Sequence, residues 1–403
     1  MDSKTCIALS TGVALGAAIS FAAFHAECFS KSFSLSQLCP YMCGKQTSNA
    51  LAKMSVEIDL TRPDKDNFMT VYDELVKAER EENIDIHGAQ IVDWIKDMSD
   101  YNVPGGKLNR GLAVVASAKI LDPKGMQNRD TYIAACVLGW GIEFLQAFFL
   151  IADDIMDHSV TRRGHPCWYK VEKVKLIAVN DCCILEATIY RFLRKYLSHL
   201  PCYLEILELF HDVKYATTIG QLMDMLTVPE GENNFEYYTL DRYKLIVTWK
   251  TAFYTFYLPT ACAMHLCGVK DKSTFDTARK ICLMLGEFFQ IQDDYLDCYG
   301  DPAVIGKIGT DIEDNKCGWL VCQALKRASK QQLATLQSHY GKASKDSVAK
   351  VKAIFQNLKV KELFEAHEDE THARIALVVA SEVPASLRPI YNWHLGKIFK
   401  RSK

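Results

Sequence analysis

Two stretches of this chain decide its reading: Leu145-Gln146-Ala147-Phe148-Phe149-Leu150-Ile151-Ala152-Asp153-Asp154-Ile155-Met156-Asp157 and Gly286-Glu287-Phe288-Phe289-Gln290-Ile291-Gln292-Asp293-Asp294-Tyr295-Leu296-Asp297. Each sets a pair of phenylalanines before a DDxxD cluster, and the clusters stand 140 residues apart. On an α-helix residues i and i+4 share a face, so Asp153 projects with Asp157 and Asp293 with Asp297. Carboxylates gathered on an otherwise apolar face repel one another and resist desolvation. A hard divalent cation between them removes the conflict, and Mg²⁺ takes one or two carboxylates together with phosphate oxygens and water. A single DDxxD reads as a solvated acidic helix end. Two copies, each behind a strongly apolar run (144–152 and 284–291), do not. The repeat predicts two matching helices that present their acids to one cavity.

Outward from these motifs the periodicity is helical almost without interruption from about Thr61. Pro63 opens a run to Arg80 in which Phe68, Val71, Tyr72, Leu75 and Val76 keep a 3–4 spacing. Gly105-Gly106 break the chain before a helix through Ala113 to Ile120, and a long apolar helix follows over 132–156. Further helices are predicted near 178–199, 202–225, 238–264, 273–299, 315–339 and 343–358, then to the C-terminus. No alternating strand of useful length occurs. The fold class is all-α, a large antiparallel helix bundle around a central cavity.

Composition agrees with a globular protein and argues against a nucleic-acid binder. With 403 residues, 49% of them hydrophobic, the chain can bury a large core, and a net charge of −2 leaves no footprint for nucleic acid. The 15 cysteines are scattered, Cys39 and Cys43 being separated by three residues and Cys182 and Cys183 adjacent, so they read as reduced, buried small hydrophobes. The first 53 residues form a separate extension, followed by one domain over 54–403. The extension has an uncharged stretch from Cys6 to Phe24 and no arginine. We expect a targeting peptide, mitochondrial if so and leaving a cytoplasmic protein otherwise; a disordered tail or a weak membrane anchor are the other readings. No obligate membrane partner is expected.

Over some 340 residues, from about 60 to the C-terminus, the motifs resemble the two aspartate-rich segments of farnesyl diphosphate synthases, which implies the type I isoprenoid synthase fold and a homodimer. The resemblance implies three Mg²⁺ ions per site, with Mn²⁺ as a substitute, held by Asp153, Asp157, Asp293, Asp294 and Asp297, with Asp154 also catalytic. Condensation needs a second diphosphate held without metal, hence a separate set of cations. Gly105-Gly106-Lys107-Leu108-Asn109-Arg110-Gly111 supplies half of it, glycines admitting an anion to the backbone, and Thr161-Arg162-Arg163-Gly164 the rest. By resemblance Lys107, Asn109, Arg110, Gln146 and Arg163 hold the isopentenyl (homoallylic) diphosphate, and Arg162 turns to the allylic one. Lys250, Lys307 and Lys316 match lysines at the leaving diphosphate. The carbonyl of Lys250, the hydroxyl of Thr251 and the amide of Gln290 face the allylic cation, and Arg401 serves a C-terminal tail that closes over the homoallylic substrate. Taken singly, each lysine would be a solvated charge; each gains meaning from its matched segment.

The implied reaction is head-to-tail condensation of isopentenyl diphosphate with dimethylallyl and geranyl diphosphate to (2E,6E)-farnesyl diphosphate, with released diphosphate taking the proton. Phe149 and Phe148 stand four and five places before Asp153, roughly 6–7.5 Å down the helix at ~1.5 Å per residue, where rings should stop the product at C15. A P-loop over 300–308 fails: five residues separate Gly300 from Gly306, and Ile308 stands where Ser or Thr is needed. A terpene synthase needs no second diphosphate site, an inactive regulatory subunit no intact acids, and a geranyl diphosphate synthase would stop at C10. His158 and Ser402 depart from the family pattern without removing a required group.

Overall fold

The computed structural model describes residues 50–227, 235–306 and 308–401. Residues 1–49, including the uncharged Cys6–Phe24 stretch, lie outside the described residues, as do Lys307, Ser402 and Lys403. The helices are α1 (Ala50–Lys53), α2 (Asp64–His87), α3 (Ala89–Asn102), α4 (Asn109–Leu121) and α5 (Arg129–Met156). A two-strand hairpin, β1 (Thr161–Arg162) and β2 (His165–Pro166), precedes α6 (Ile177–Phe192) and α7 (Tyr203–Thr227). Next, α8 (Leu240–Val247) and α9 (Leu258–Leu266) flank a π-helical stretch, Thr248–Tyr257. Then come α10 (Lys272–Tyr299), α11 (Pro302–Ile305), α12 (Trp319–Leu325), α13 (Lys330–His339), α14 (Lys345–Asn357), α15 (Val360–Glu382) and α16 (Arg388–Ile398). The fold is all-α, as the periodicity predicts; the hairpin is the sole sheet among the described residues.

The axis of the bundle is α5. Asn128 caps it by accepting from the amides of Asp130 and Thr131. It is long and apolar enough to cross a membrane, but 78% of its most apolar window is buried among its own neighbours, which marks a core helix. Trp140 stacks on Phe68 of α2 at 4.2 Å and donates its indole N–H to the Phe68 carbonyl. A Cβ on Gly139 would fall 2.6 Å from the carbonyl oxygen of Gly111, so α4 and α5 cross nearly backbone to backbone. Leu51 is buried, and Arg129 donates to the carbonyls of Leu51, Met54 and Val56, which ties the chain from α1 onward to the foot of α5.

Two local expectations change. The helix predicted over 315–339 is two helices: Ser329 and Gln332 form a reciprocal capping box that starts α13 afresh, and 315–318 are not helical. Helix α3 went unannounced, because its buried residues are few (Val92, Met98, Ser99) and its apolar stripe correspondingly thin.

Candidate active site

The last turn of α5 delivers the first acidic set. Asp153 lies on the helix and Asp157 caps its end, with φ −90° and ψ 2°. Lys250 Nζ approaches Asp153 at 3.2 Å and Asp224 of α7 at 2.7 Å; Lys316 Nζ approaches Asp157 at 2.8 Å and Asp224 at 3.2 Å. Gln221, one turn before Asp224, donates to Asp153 at 3.0 Å. Three carboxylates and two ammonium groups thus form one alternating cluster. Burial alone would raise the Asp153 and Asp224 carboxyls, yet Lys250 and Lys316 hold both below the usual range. The balance reverses at Asp157, where burial and the neighbouring Asp153 charge push the carboxyl up. Burial opposes charge on the lysines, and the surrounding acids overcome it, shifting both upward.

The π-helical stretch places Lys250. Neighbours on both sides approach its backbone: a side chain on Gly220 of α7 would collide with the Lys250 amide nitrogen, and one on Gly286 of α10 with Ala252. These two glycines let α7 and α10 clamp the wide turn, a distortion frequent at functional sites. Thr251, next along, donates to Gln290 Oε1 at 2.9 Å, and Gln290 Nε2 donates to Asp294 at 3.1 Å. Through the adjoining residues Lys250 and Thr251 the π-helical stretch thus touches both acidic motifs, Asp153 on one side and, by way of Gln290, Asp294 on the other.

The second motif is not a copy of the first. Asp293 is the most open of its acids and meets Arg401 at 3.3 Å. Asp294, expected among the metal ligands, is turned into the wall instead: its oxygens accept from Gln290 Nε2 and from the Trp319 amide at 2.8 Å, and burial pushes its carboxyl up to about 7. Asp297 accepts the Asp311 amide at 3.0 Å. Wall carboxylates of this kind fix α12 and the 308–318 loop. Arg401 stacks 3.9 Å over the Phe289 ring, which Arg110 also faces at 5.9 Å, and it donates to Gln292 and to the Phe289 carbonyl while meeting Asp293, so it stands between the second motif and Arg110.

A separate group of cations lies nearer the start of α5, around Glu143 and Gln146 on the same polar face of that helix. The β1–β2 turn has φ +54° at Arg163 and +81° at Gly164, the two left-handed residues of a tight hairpin. Of the two arginines there, Arg162 turns to Asp154 (Nε to Oδ1 3.1 Å) and to Asp153 (3.6 Å). Arg163 turns the opposite way, donating to the Asn102 carbonyl at 2.9 Å beside Gly105 and Gly106. Arg110 donates to Thr255 and Tyr254, and the Gln146 amide, in its hydrogen-bonded orientation, accepts from it at 2.9 Å. Neither Arg110 nor Arg163 has a carboxylate within ion-pair distance among the described residues, and burial lowers the affinity of Arg163 for its proton. Lys107 and Asn109 are exposed and flank buried Leu108, whose φ is +58°.

Three participants escaped the sequence reading. Asp224 and Gln221 sit on an apolar helix with no repeat to advertise them. Glu143 is fully buried one turn before Gln146, where it accepts the Gly111 amide at 2.7 Å and the Gln146 amide at 3.0 Å. Only its place on the polar side of an apolar helix signalled it.

All acids here offer hard oxygen donors, which suits Mg²⁺. No three His, Cys, Asp or Glu side chains among the described residues gather tightly enough to enclose an ion alone. Mg²⁺ does not need that, since diphosphate oxygens and water complete its octahedron.

Comparison with known proteins follows the same lines. The polyprenyl synthetase family pattern matches residues 92–358. The farnesyl pyrophosphate synthase of Saccharomyces cerevisiae is 45% identical over 346 residues, 84% of this chain and 98% of that protein. The Rattus norvegicus farnesyl pyrophosphate synthase is 44% identical over 349 residues, 86% and 99% of the two chains. Among solved structures, T. brucei farnesyl diphosphate synthase complexed with risedronate superposes with a TM-score of 0.80 at 32% identity, covering 85% of this chain and all of that one.

Proposed function

This chain belongs to the polyprenyl synthetase family, and from that premise we propose that it joins isopentenyl diphosphate head-to-tail to dimethylallyl and then geranyl diphosphate, giving (2E,6E)-farnesyl diphosphate. It is a prenyltransferase. The observation that carries the condensing reading is the contrast between neighbouring arginines: Arg162 is ion-paired with Asp154, whereas Arg110 and Arg163 have no carboxylate in contact among the described residues, the buried Glu143 acting on them from a distance and, for Arg110, through Gln146. Two guanidinium groups that share one buried carboxylate, Glu143, leave room for an anion, and their planar forks suit a diphosphate. The lysine–carboxylate cluster calls for a different one, a diphosphate brought with metal. Two anion sites beside one cavity fit a two-substrate condensation better than the release of a terpene.

Mg²⁺ at Asp153, Asp157 and Asp293 would supply Lewis-acid neutralisation of the allylic diphosphate. The protein's own part is electrostatic. Arg162, Lys250 and Lys316 stand ready beside the acids to hold the departing diphosphate, with donors fixed before charge develops. Thr251 and Gln290 direct oxygen dipoles into the same space. Farther down the same face of α5, Arg110 and Arg163, with Gln146 steadied by Glu143, would hold the second substrate with its double bond toward the reacting carbon. Purified protein given dimethylallyl and isopentenyl diphosphates with Mg²⁺ should release diphosphate and a C15 allylic product, and EDTA should stop it. Dimethylallyl diphosphate consumed to a hydrocarbon or alcohol without uptake of isopentenyl diphosphate would overturn the reading.

A homodimer is part of the proposal. Helices α6 and α7 lie side by side, joined by Lys214–Glu186 and the stacked Tyr190 and His211. Outward from them project Ile177 and Val179 on α6 and Tyr215, Leu222 and Leu226 on α7, the last three on one helical face. Such an apolar face suits a second copy. Tyr215→Asp with Leu226→Glu should halve the mass measured by light scattering; an unchanged mass would remove this face as the contact.

A further inference from the structure

Lys316 reaches the acidic cluster from a loop, not from a helix. A lysine ammonium on a four-carbon stem is only as well placed as the backbone beneath it. That backbone is unusual: Asn315, just before, has φ +58°, in the left-handed region that Asn tolerates better than most residues. Something must hold it there, and two distant tyrosines do. Tyr340, at the end of α13, donates its hydroxyl to the Lys316 carbonyl at 2.7 Å. Tyr238, before α8, brings its hydroxyl within 2.8 Å of both the main-chain and side-chain oxygens of Asn315. The amide of Gly341 adds a bond to the Ile312 carbonyl at 2.8 Å, and a Cβ on that glycine would fall 2.7 Å from the Asn315 side chain. The rings are locked in turn: Tyr238 and Tyr340 pack edge to face at 6.1 Å, and Phe235 packs edge-on against both. Both tyrosines are buried, which pushes their hydroxyls far up and keeps them protonated donors.

We propose that Tyr340, braced by Tyr238, is a positioning residue for Lys316, setting the distance of its ammonium from Asp157 and Asp224 through the lysine's own carbonyl. The inference rests on the condensing function proposed above and adds a specific dependence: the allylic, metal-side half of the site is tuned from a carbonyl that no substrate touches. Supporting groups of this kind commonly change rates by about 10- to 100-fold. The effect should be one-sided, because the hydrogen bonds of Arg110 and Arg163 go to Tyr254, Thr255 and the Asn102 carbonyl, all outside this loop.

The test uses the full chain. Tyr340→Phe and Tyr238→Phe each delete one hydroxyl and keep the ring. With both substrates varied, each variant should lower kcat and raise KM for the allylic diphosphate, leaving KM for isopentenyl diphosphate unchanged. In a Lys316→Ala background, Tyr340→Phe should cost nothing further, since the two changes act on one group. Losses that multiply, a matching rise in both KM values, or wild-type kinetics in the Tyr340 variant would overturn the positioning role. If Tyr340→Phe does not fold, the same comparison with Tyr238→Phe decides. Wild-type condensation in the same assay tests the proposed function independently: its presence beside unaffected tyrosine variants rejects only the positioning role.

Discussion

Asp153→Asn is expected to lower kcat by about a thousandfold at saturating substrates while the helical circular dichroism stays that of the wild type. The substitution keeps the shape of the side chain and removes only its charge. That charge is the one most heavily answered by the protein: Lys250 at 3.2 Å and Arg162 at 3.6 Å both point to it, and Lys316 adds to their field. It is also one of the ligands we propose for Mg²⁺. Metal neutralisation of a leaving oxygen contributes several kcal/mol to the transition state, and about 4 kcal/mol corresponds to three decades of rate. The fold should survive, because Lys250 retains Asp224 at 2.7 Å and Gln221 can donate to the amide oxygen that remains. Steady-state rates and a Mg²⁺ titration check this; a loss below tenfold with unchanged Mg²⁺ dependence would remove Asp153 from the metal site.

Phe149→Ala is expected to change the product instead of the rate, shifting it from C15 toward C20 and longer. The Phe149 ring lies 4.7 Å from Phe148 and 6.0 Å from Tyr254, and both phenylalanines are half-buried, so they border a space instead of filling the sealed core. A growing chain directed along α5, away from the acids, meets these rings after about one helical turn. Removing one opens the floor to further isoprene units. Chromatography of the dephosphorylated products resolves the lengths directly. A product that remains C15 in Phe149→Ala and in Phe148→Ala alike would mean that another wall sets the limit.

How much of this the chain discloses before folding depends on whether a residue advertises itself locally. The acidic motifs do, because Asp153 and Asp293 are repeated, follow apolar runs, and stand where a helix must end or turn. So does the all-α class, since periodicity sums over many residues. What stays hidden is pairing at a distance. Asp224 and Gln221 are ordinary residues on their own helix and become part of the site only when α7 closes on Lys250, 26 residues away. The same holds for Asp294: on a helical wheel it is a third acid of the motif, and only packing against Trp319 shows that it faces inward. The misplaced helix at 315–318 has a similar origin. Its residues carry no strong breaker before Gly318, and tyrosines far along the sequence, not local propensity, hold it open.

The wide turns of 248–257 bear on how such a protein can change. Most helices accept a change of length only at their ends, because each interior residue sets the register of all that follow. Here the chain is already wound with more residues per turn than an α-helix, so dropping one residue would let it relax into ordinary α geometry. The flanking helices would keep their mutual orientation, since a wide turn is what an extra residue makes, but the side chains between them would take a new register. Lys250 and Thr251 would leave the cavity as Tyr254 and Thr255, which hold Arg110, stayed in it. This segment is therefore closed to deletion, a frame as strict as that of a coding sequence, because both proposed diphosphate sites hang from opposite ends of the same few turns.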